Sequence, residues 1–163
     1  MIEMNIKGLM VDPITNMPII ILRDSEGQKV LPIWVGVFEA NAIALQIENI
    51  QTPRPMTHDL LRNIITDLQA SVDKIVVCDL KENTFYALIH LRTPAGPVAI
   101  DARPSDAIAL ALRTRAPIMV DGLGVVDDLF IDQDRRAGAQ RQRDGIARPR
   151  VDGDRAGRRA QMD

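Results

Sequence analysis

Two short stretches of the sequence place acidic, basic and hydroxyl side chains at the start of a predicted helix. The first is Asp101-Ala-Arg-Pro-Ser-Asp106, and the second, Arg54-Pro-Met-Thr-His-Asp59, has the same order of Arg-Pro, a hydroxyl and an aspartate. Proline suits the first helical position, and a serine or threonine hydroxyl suits the N-cap. The pattern therefore predicts that Ser105 and Thr57 cap two helices, whose polar corners could face one cleft.

Three carboxylates are predicted in the first turns of separate helices, at Glu39, Asp59 and Asp106. Mg²⁺ and Mn²⁺ prefer oxygen ligands, and such an ion is held by one or two carboxylates while it keeps waters that phosphate oxygens can replace. The three residues are therefore candidate metal ligands and candidate catalytic residues.

Basic and titratable side chains accompany these carboxylates. Arg54 and Arg103 could hold a phosphate by bidentate hydrogen bonds. His58 could act as general base or general acid near neutral pH. A divalent cation, a proton carrier and phosphate-binding arginines together suit metal-assisted hydrolysis of phosphodiesters.

The same residues also have a purely structural interpretation. An acidic residue in the first turn of a helix gains about 0.3–1 kcal/mol from the helix dipole, and Arg103 could simply pair with Asp101 or Glu39. The sequence contains no motif of high specificity such as HExxH, a pair of CxxC motifs, a Walker loop or GxSxG. The spacing alone leaves both interpretations open.

The order of periodic segments predicts an α+β fold with a mixed or largely antiparallel sheet packed against about three helices. In the second helix the apolar residues form one stripe, made of Leu60, Leu61, Ile64, Ile65 and Leu68. The predicted helices run from Phe38 to about Asn49, from Thr57 to near Ala70, and from Ser105 to roughly Arg115. The predicted strands are Met1–Val11, Pro18–Leu22, Val30–Val35, Lys74–Leu80, Thr84–Leu91, Val98–Asp101 and Pro117–Val120.

Charge is distributed unevenly along the 163 residues. Residues 1–130 contain 4 Lys and 7 Arg against 16 acidic residues, whereas residues 131–163 contain 9 Arg against 6 Asp. An acidic body argues against a broad electrostatic surface for nucleic acid, because such binding depends on Lys and Arg. A phosphate site would then rely on local arginines, a bound cation or the assembled surface of an oligomer.

Residues 131–163 have no aromatic residue and no usable hydrophobic period, which predicts a disordered tail. An arginine-rich arm that touches nucleic acid is the alternative interpretation. No apolar run approaches the roughly 20 residues that span a bilayer, and the single cysteine, Cys78, allows no internal disulfide. We expect a cytoplasmic protein that has no membrane partner.

Two further residues are assigned structural roles from their surroundings. Trp34, the only tryptophan, follows an apolar run and is expected to be a buried anchor, with an exposed stacking platform as the alternative. His90 lies within an apolar strand and is expected to be a core or sheet-surface histidine rather than a ligand.

Three blocks of the sequence resemble the signature blocks of the bifunctional nuclease domain family, which is found in bacteria and plants. They are Leu31-Pro-Ile-Trp-Val-Gly-Val-Phe-Glu-Ala40, Arg54-Pro-Met-Thr-His-Asp-Leu-Leu61 and Asp101-Ala-Arg-Pro-Ser-Asp-Ala-Ile-Ala-Leu-Ala-Leu112. The resemblance covers about residues 1–130 and leaves 131–163 outside it.

The resemblance implies a compact α+β domain that self-associates, as a dimer or a higher homo-oligomer, and a nuclease activity on DNA and RNA with little sequence preference. It also implies a site at the motif positions, with Ser105 as a further phosphate contact beside the two arginines. These positions are Glu39, Arg54, His58, Asp59, Arg103, Ser105 and Asp106.

Two hypotheses of different classes follow. The leading one is a nuclease that depends on Mg²⁺ or Mn²⁺, with DNA and RNA as partners. The alternative is a non-catalytic oligomeric module that binds an anionic ligand or a partner protein at the two Arg-Pro corners. The acidic body favours the alternative, since a nonspecific nuclease usually needs positive surface to hold its substrate.

Overall fold

The strands and helices follow one another in the predicted order, with one short strand added at the end. The structure is a computed structural model that describes residues 1–82, 84–122 and 124–127. Within these residues the helices are α1 (Val37–Ile47), α2 (Thr57–Asp67) and α3 (Pro104–Thr114). The strands are β1 (Ile2–Val11), β2 (Pro18–Asp24), β3 (Lys29–Trp34), β4 (Ser71–Lys81), β5 (Thr84–Thr93), β6 (Gly96–Ala102), β7 (Ile118–Val120) and β8 (Val126–Asp127).

The described strands form a single sheet of eight in the order β6-β5-β4-β7-β1-β2-β3-β8. Every neighbouring pair is antiparallel except β4 and β7, which run parallel. This confirms the predicted α+β class with a mixed, largely antiparallel sheet and three helices. The chain crosses from β3 to the other half of the sheet through α1 and α2, so both helices lie where they can contact α3.

The core lies between the sheet and α3, the most deeply buried helix. Its alanines and aliphatic residues, from Ala107 to Ala111, are at most 1% exposed and pack with buried residues of β2, β3, β4, β5 and α1. Small side chains allow this helix to approach both the sheet and its neighbouring helices closely. The predicted cap at Ser105 was wrong by two positions, because Arg103 is the N-cap and Pro104 takes the first helical position.

Helix α2 is built differently, since none of its residues is fully buried. Met56 is its N-cap, so the predicted cap at Thr57 was also wrong, and the carboxylate of Asp59 accepts a hydrogen bond from the Met56 N–H at 3.1 Å. The side chains of His58 and Asp59 reach towards α3. Most of the apolar stripe points to solvent instead: Leu60, Leu61, Ile64 and Leu68 are all exposed.

Among the described residues, no helix is both long enough and apolar enough to cross a membrane. The predicted disordered tail, residues 131–163, lies outside the described residues.

Candidate functional site between three helices

Arg103 joins two acidic side chains at the point where β6 ends and α3 begins. Its Nε donates to Asp106 Oδ2 at 2.6 Å, and its Nη2 donates to Asp106 Oδ1 at 3.1 Å. Its Nη1 donates to Glu39 Oε1, in the first turn of α1, at 2.9 Å. The extended backbone before Pro104 places Arg103 outside the helix, and the spacing of three residues brings Asp106 back beside it.

His58 completes this group from the first turn of α2. Its Nε2 lies 3.1 Å from Asp106 Oδ1, and only 12% of its side chain is exposed. We call Glu39, His58, Arg103 and Asp106 the acid–base cluster. It brings together two stretches that are 48 residues apart in the sequence, counted from His58 to Asp106.

The electrostatics of the cluster keep Asp106 ionised. Burial alone would raise the pKa of Asp106, but hydrogen bonds and charge from Arg103 and His58 outweigh it and hold that pKa below its ordinary value of 3.8. The same contacts with Asp106, and then those with Glu39, raise the pKa of Arg103. With a neutral imidazole the four side chains carry one positive and two negative charges.

An ionised Asp106 fixes the orientation and the tautomer of His58. A carboxylate accepts hydrogen bonds only, so the ring nitrogen that faces it, Nε2, carries the proton. The other ring nitrogen, Nδ1, then has a free lone pair and can accept a proton. Arg103 is 65% exposed and uses three of its five N–H groups within the cluster, which leaves two for a ligand.

Asp59 belongs to a different group of contacts. Its Oδ1 accepts a hydrogen bond from Arg113 Nε at 2.7 Å. Arg113 also donates to the carbonyl of Ala109 in α3 at 2.9 Å and to the carbonyl of Ala42 in α1 at 3.1 Å. We call these four residues the Arg113 cluster. Arg113 lies two turns beyond Asp106, so the backbones of these two residues are about 10 Å apart along α3, while their partners His58 and Asp59 are adjacent in α2.

Sequence reasoning missed Arg113, whose side chain is only 3% exposed and contacts all three helices. The signal was present, because Arg113 follows Ala109 and Leu110 at helical spacings of four and three on an otherwise apolar face. An arginine at such a position must find partners when the helix is buried. Burial would raise the pKa of Asp59, yet the hydrogen bonds from Arg113 and from the Met56 N–H lower it below 3.8.

The remaining predicted residues, Arg54 and Ser105, belong to neither cluster. Arg54 is exposed in the connection between α1 and α2, where its carbonyl accepts a hydrogen bond from Thr52 at 2.7 Å, and it makes no ion pair with a described residue. Ser105 is buried in the first turn of α3. The structure therefore gathers Glu39, His58, Arg103 and Asp106, and gathers neither Arg54 nor Asp59 with them.

A metal centre made of all three predicted carboxylates does not fit this arrangement. Glu39 and Asp106 are joined through a cation, the Arg103 guanidinium, and Asp59 is paired with Arg113. Within the described part of the chain, no three His, Cys, Asp or Glu side chains are grouped so that they could hold a metal ion. The expected Mg²⁺ or Mn²⁺ stays a prediction.

A cavity of about 270 Å³ lies beside the acid–base cluster. Its lining includes the cluster residues Glu39 and Arg103 together with the aromatic residues Trp34 and Phe85, and Ser105 closes it at α3. We call this cavity the aromatic groove. Trp34 is 53% exposed, so the expected buried anchor was wrong.

Comparisons with known proteins agree with the three sequence blocks. A family model described as the bifunctional nuclease domain matches residues 20–130. An uncharacterized protein of Mycobacterium tuberculosis is 43% identical over 120 residues, which cover 73% of this chain and 71% of the relative.

More distant similarity links the chain to plant proteins. Bifunctional nuclease 1 of Arabidopsis thaliana is 26% identical over 145 residues, covering 74% of this chain and 45% of the relative. Bifunctional nuclease 1 of Oryza sativa subsp. japonica is 24% identical over 106 residues, covering 63% and 32%. The match thus spans less than half the length of these plant relatives.

Proposed function

The chain belongs to the bifunctional nuclease domain family, and we propose from this membership and from the acid–base cluster that it hydrolyses phosphodiester bonds of DNA and RNA. The observation that carries the proposal is the contact between His58 and Asp106 beside an exposed arginine. A carboxylate that orients a histidine, next to a guanidinium with free N–H groups, supplies a base and an anion-binding group in one place.

In the proposed reaction, each member of the cluster has a distinct role. His58 Nδ1 accepts a proton from a water molecule as the water oxygen bonds to phosphorus. The P–O ester bond breaks, and the departing oxygen takes a proton from solvent. Arg103 stabilises the charge on the phosphate oxygens through its two remaining N–H groups, and Asp106 is a positioning residue for both His58 and Arg103.

Little sequence preference is expected from such a site. Contacts to phosphate position a nucleic acid but carry no sequence information, and Arg103 would bind a group that every nucleotide of DNA and RNA contains. Arg54 is exposed and without an ion pair to a described residue, so it is available as a second phosphate contact. Ser105 at the wall of the aromatic groove is kept as a predicted phosphate contact.

The charge of the cluster supports the predicted need for Mg²⁺ or Mn²⁺. Two carboxylates and one guanidinium leave a net charge of −1 while His58 is neutral, which disfavours an approaching phosphate. A divalent cation with hard oxygen ligands would offset that charge. Such an ion would share the oxygens of Glu39 and Asp106 with Arg103, which already pairs with both, and removal of the cation by EDTA is the test.

The first experiment compares cleavage of fluorescent single-stranded DNA and RNA by the full chain with Mg²⁺, with Mn²⁺ and with EDTA. His58→Gln and Asp106→Asn are expected to lose about 10²–10⁴-fold in rate, the range that general acid–base catalysis contributes. His90→Gln is the matched control because His90 is the only other histidine, and it should cleave normally.

Two outcomes would contradict this proposal in different ways. Full activity in both cluster variants would mean that hydrolysis occurs at another site or in a contaminant. No cleavage by the unmodified chain with either metal ion would favour the second candidate, an oligomeric binding module. The acidic residues of the body favour that candidate, and binding that weakens steeply with salt would still identify a phosphate-binding surface.

We also propose that the chain forms a homo-oligomer through the outward face of α2. Leu60 and Leu68 lie four residues to either side of Ile64, so an antiparallel copy of α2 would meet this face with the same side chains, as a two-fold interface requires. Ile64→Asp is expected to yield monomers in analytical ultracentrifugation, whereas Leu80→Asp, at another exposed leucine on β4, is the control. An unchanged oligomer in Ile64→Asp would contradict this interface.

The cytoplasmic location expected from the sequence remains a prediction, which fractionation of cells that produce the chain would test.

A further inference from the structure

Trp34 is an exposed aromatic residue whose position neither the family assignment nor the acid–base cluster explains. It ends β3, and just over half of its surface is exposed. A large aromatic side chain gains most when it is buried. Its exposure beside the candidate site therefore suggests that the ring surface meets something other than the core.

The indole ring is held in place rather than loosely exposed. Its Nε1 donates a hydrogen bond to Asp12 Oδ2 at 3.1 Å. Asp12 is itself fixed in the β1–β2 connection, where it accepts hydrogen bonds from the Thr15 hydroxyl at 2.7 Å and from the Ile14 N–H at 2.9 Å. A ring that is already oriented loses little conformational freedom when a flat ligand stacks on it.

The aromatic groove is lined by Trp34 together with the proposed phosphate-binding residue. Trp34 and Arg103 both line it, and Arg103 has two N–H groups that are not used by Glu39 or Asp106. A nucleic acid strand alternates flat bases with anionic phosphates. The groove offers a partner for each, an indole face for a base and a guanidinium for the adjoining phosphate.

We propose that Trp34 is a stacking platform for an unpaired base next to the phosphate held by Arg103, so that the site takes single-stranded DNA and RNA in preference to duplexes. A base inside a duplex is already stacked and paired, and it must leave the helix before an indole can reach its face. This inference rests on the proposed function, because it assigns the substrate class of the same site.

The sequence provides a direct probe, since Trp34 is the only tryptophan in the chain. Its fluorescence is followed in the full chain carrying His58→Gln, with Mg²⁺, while a short oligothymidylate or a duplex of equal length is added. Single strands are expected to quench the fluorescence to saturation, and the duplex is expected to do so only at much higher concentration. This binding measurement does not depend on turnover.

Variants separate stacking from other roles of the ring. Competition for a labelled oligothymidylate should show that Trp34→Ala binds about 5- to 150-fold more weakly, the range that stacking of one base provides. Trp34→Phe keeps a flat ring and should retain most of the affinity. Tyr86→Ala removes another exposed aromatic residue, one position from the groove residue Phe85 and so on the opposite face of β5, and should bind normally.

Two results would overturn the platform. In one, oligothymidylate leaves the fluorescence unchanged although the unmodified chain cleaves single strands, so the nuclease proposal survives and the stacking role fails. In the other, Trp34→Ala converts an oligomer into monomers, which would assign the exposed ring to contact with a second copy. Quenching by single strands without cleavage by the unmodified chain would support the platform while the nuclease proposal fails.

Discussion

Two arginines in the α3 region form similar ion pairs in very different surroundings. Arg103 precedes the helix, is 65% exposed, and contacts Asp106 and Glu39. Arg113 lies in the last turn, is 3% exposed, and contacts Asp59 and two backbone carbonyls. Both arginines bridge α3 to α1, and both have an acidic partner in the first turn of a helix.

The difference lies in whether a ligand can reach the guanidinium, since each arginine uses three of its five N–H groups within the protein. Arg113 is buried among protein acceptors from three helices, so its role is to join the helices. Arg103 keeps two N–H groups and faces a cavity, and the carboxylate that binds it also orients His58. Similar ion pairs can therefore serve structure at one end of a helix and chemistry at the other, depending on how far the guanidinium is buried.

The largest expected effect comes from replacing the buried arginine, Arg113. Arg113→Ala would leave the Asp59 carboxylate and the carbonyls of Ala42 and Ala109 without their donor, and we expect it to lower the free energy of unfolding by about 3–5 kcal/mol. Arg115→Ala, at the exposed C-cap of the same helix, should change it by less than about 0.5 kcal/mol. Denaturant titration of both variants tests this, and equal stabilities would contradict the structural role of Arg113.

Replacement of the exposed arginine, Arg103, should change the activity rather than the stability. Arg103→Ala is expected to reduce cleavage about 10²–10³-fold, the cost of removing one preorganised donor to a developing anion. Because exposed ion pairs contribute about 1 kcal/mol or less, its unfolding free energy should change little. Arg103→Lys retains the charge but loses the bidentate geometry, so a lysine variant with full activity would show that charge alone is needed.

Acid should weaken the ion pairs that Arg103 and Arg113 form with Asp106 and Asp59. The pKa values of Asp59 and Asp106 are lowered on folding, so each carboxylate contributes stability that is fully present above its unfolded value of 3.8 and is lost as the pH falls through the folded value. Stability should thus be steady from neutral pH to about pH 5 and decline below about pH 4. Asp59→Asn and Asp106→Asn should each make the decline shallower in denaturation followed by circular dichroism.

A smaller effect is expected from Gly36→Ala at the N-cap of α1. The backbone there is compatible with alanine, at φ −71° and ψ 160°, but an added Cβ would collide with Glu39 Oε2. The flexible Glu39 side chain should move away from Arg103 and leave the fold intact. We expect the cleavage rate of Gly36→Ala to change by a few fold. A rate equal to that of Glu39→Gln would support an effect through displacement of Glu39, whereas an unchanged rate would contradict a role for Glu39.

Local sequence pattern was sufficient for most of the fold. Apolar alternation and helical spacing located all three helices and seven of the eight described strands, because these periods follow from backbone geometry. The two-residue strand β8 was missed since it is too short to have a period. The helix caps were misplaced because Arg103 and Met56 are the N-caps, although neither side chain makes a capping hydrogen bond to the backbone.

The candidate site was only partly predictable. The shared Arg-Pro corners led to Arg103, Asp106 and His58 together, but the same pattern suggested equal roles for Arg54 and Asp59. Those roles depend on which side chains of α1 and α2 reach α3, and no local pattern encodes that. Trp34 was expected to be buried from its apolar neighbours, whereas its exposure is set by the end of β3 and by the contact with Asp12.

The sequence by itself determined the class of fold, the family and the set of polar residues from which a site could be built, because these depend on residue types and short-range spacing. Tertiary structure alone decided that Asp106 meets His58 while Asp59 meets Arg113, and that the apolar stripe of α2 faces outward. The physical reason is that residues 68–103, which contain strands β4, β5 and β6, separate α2 from α3 in the sequence. Their relative placement follows from packing against that sheet, and the placement determines which charges are buried and which are left for a ligand.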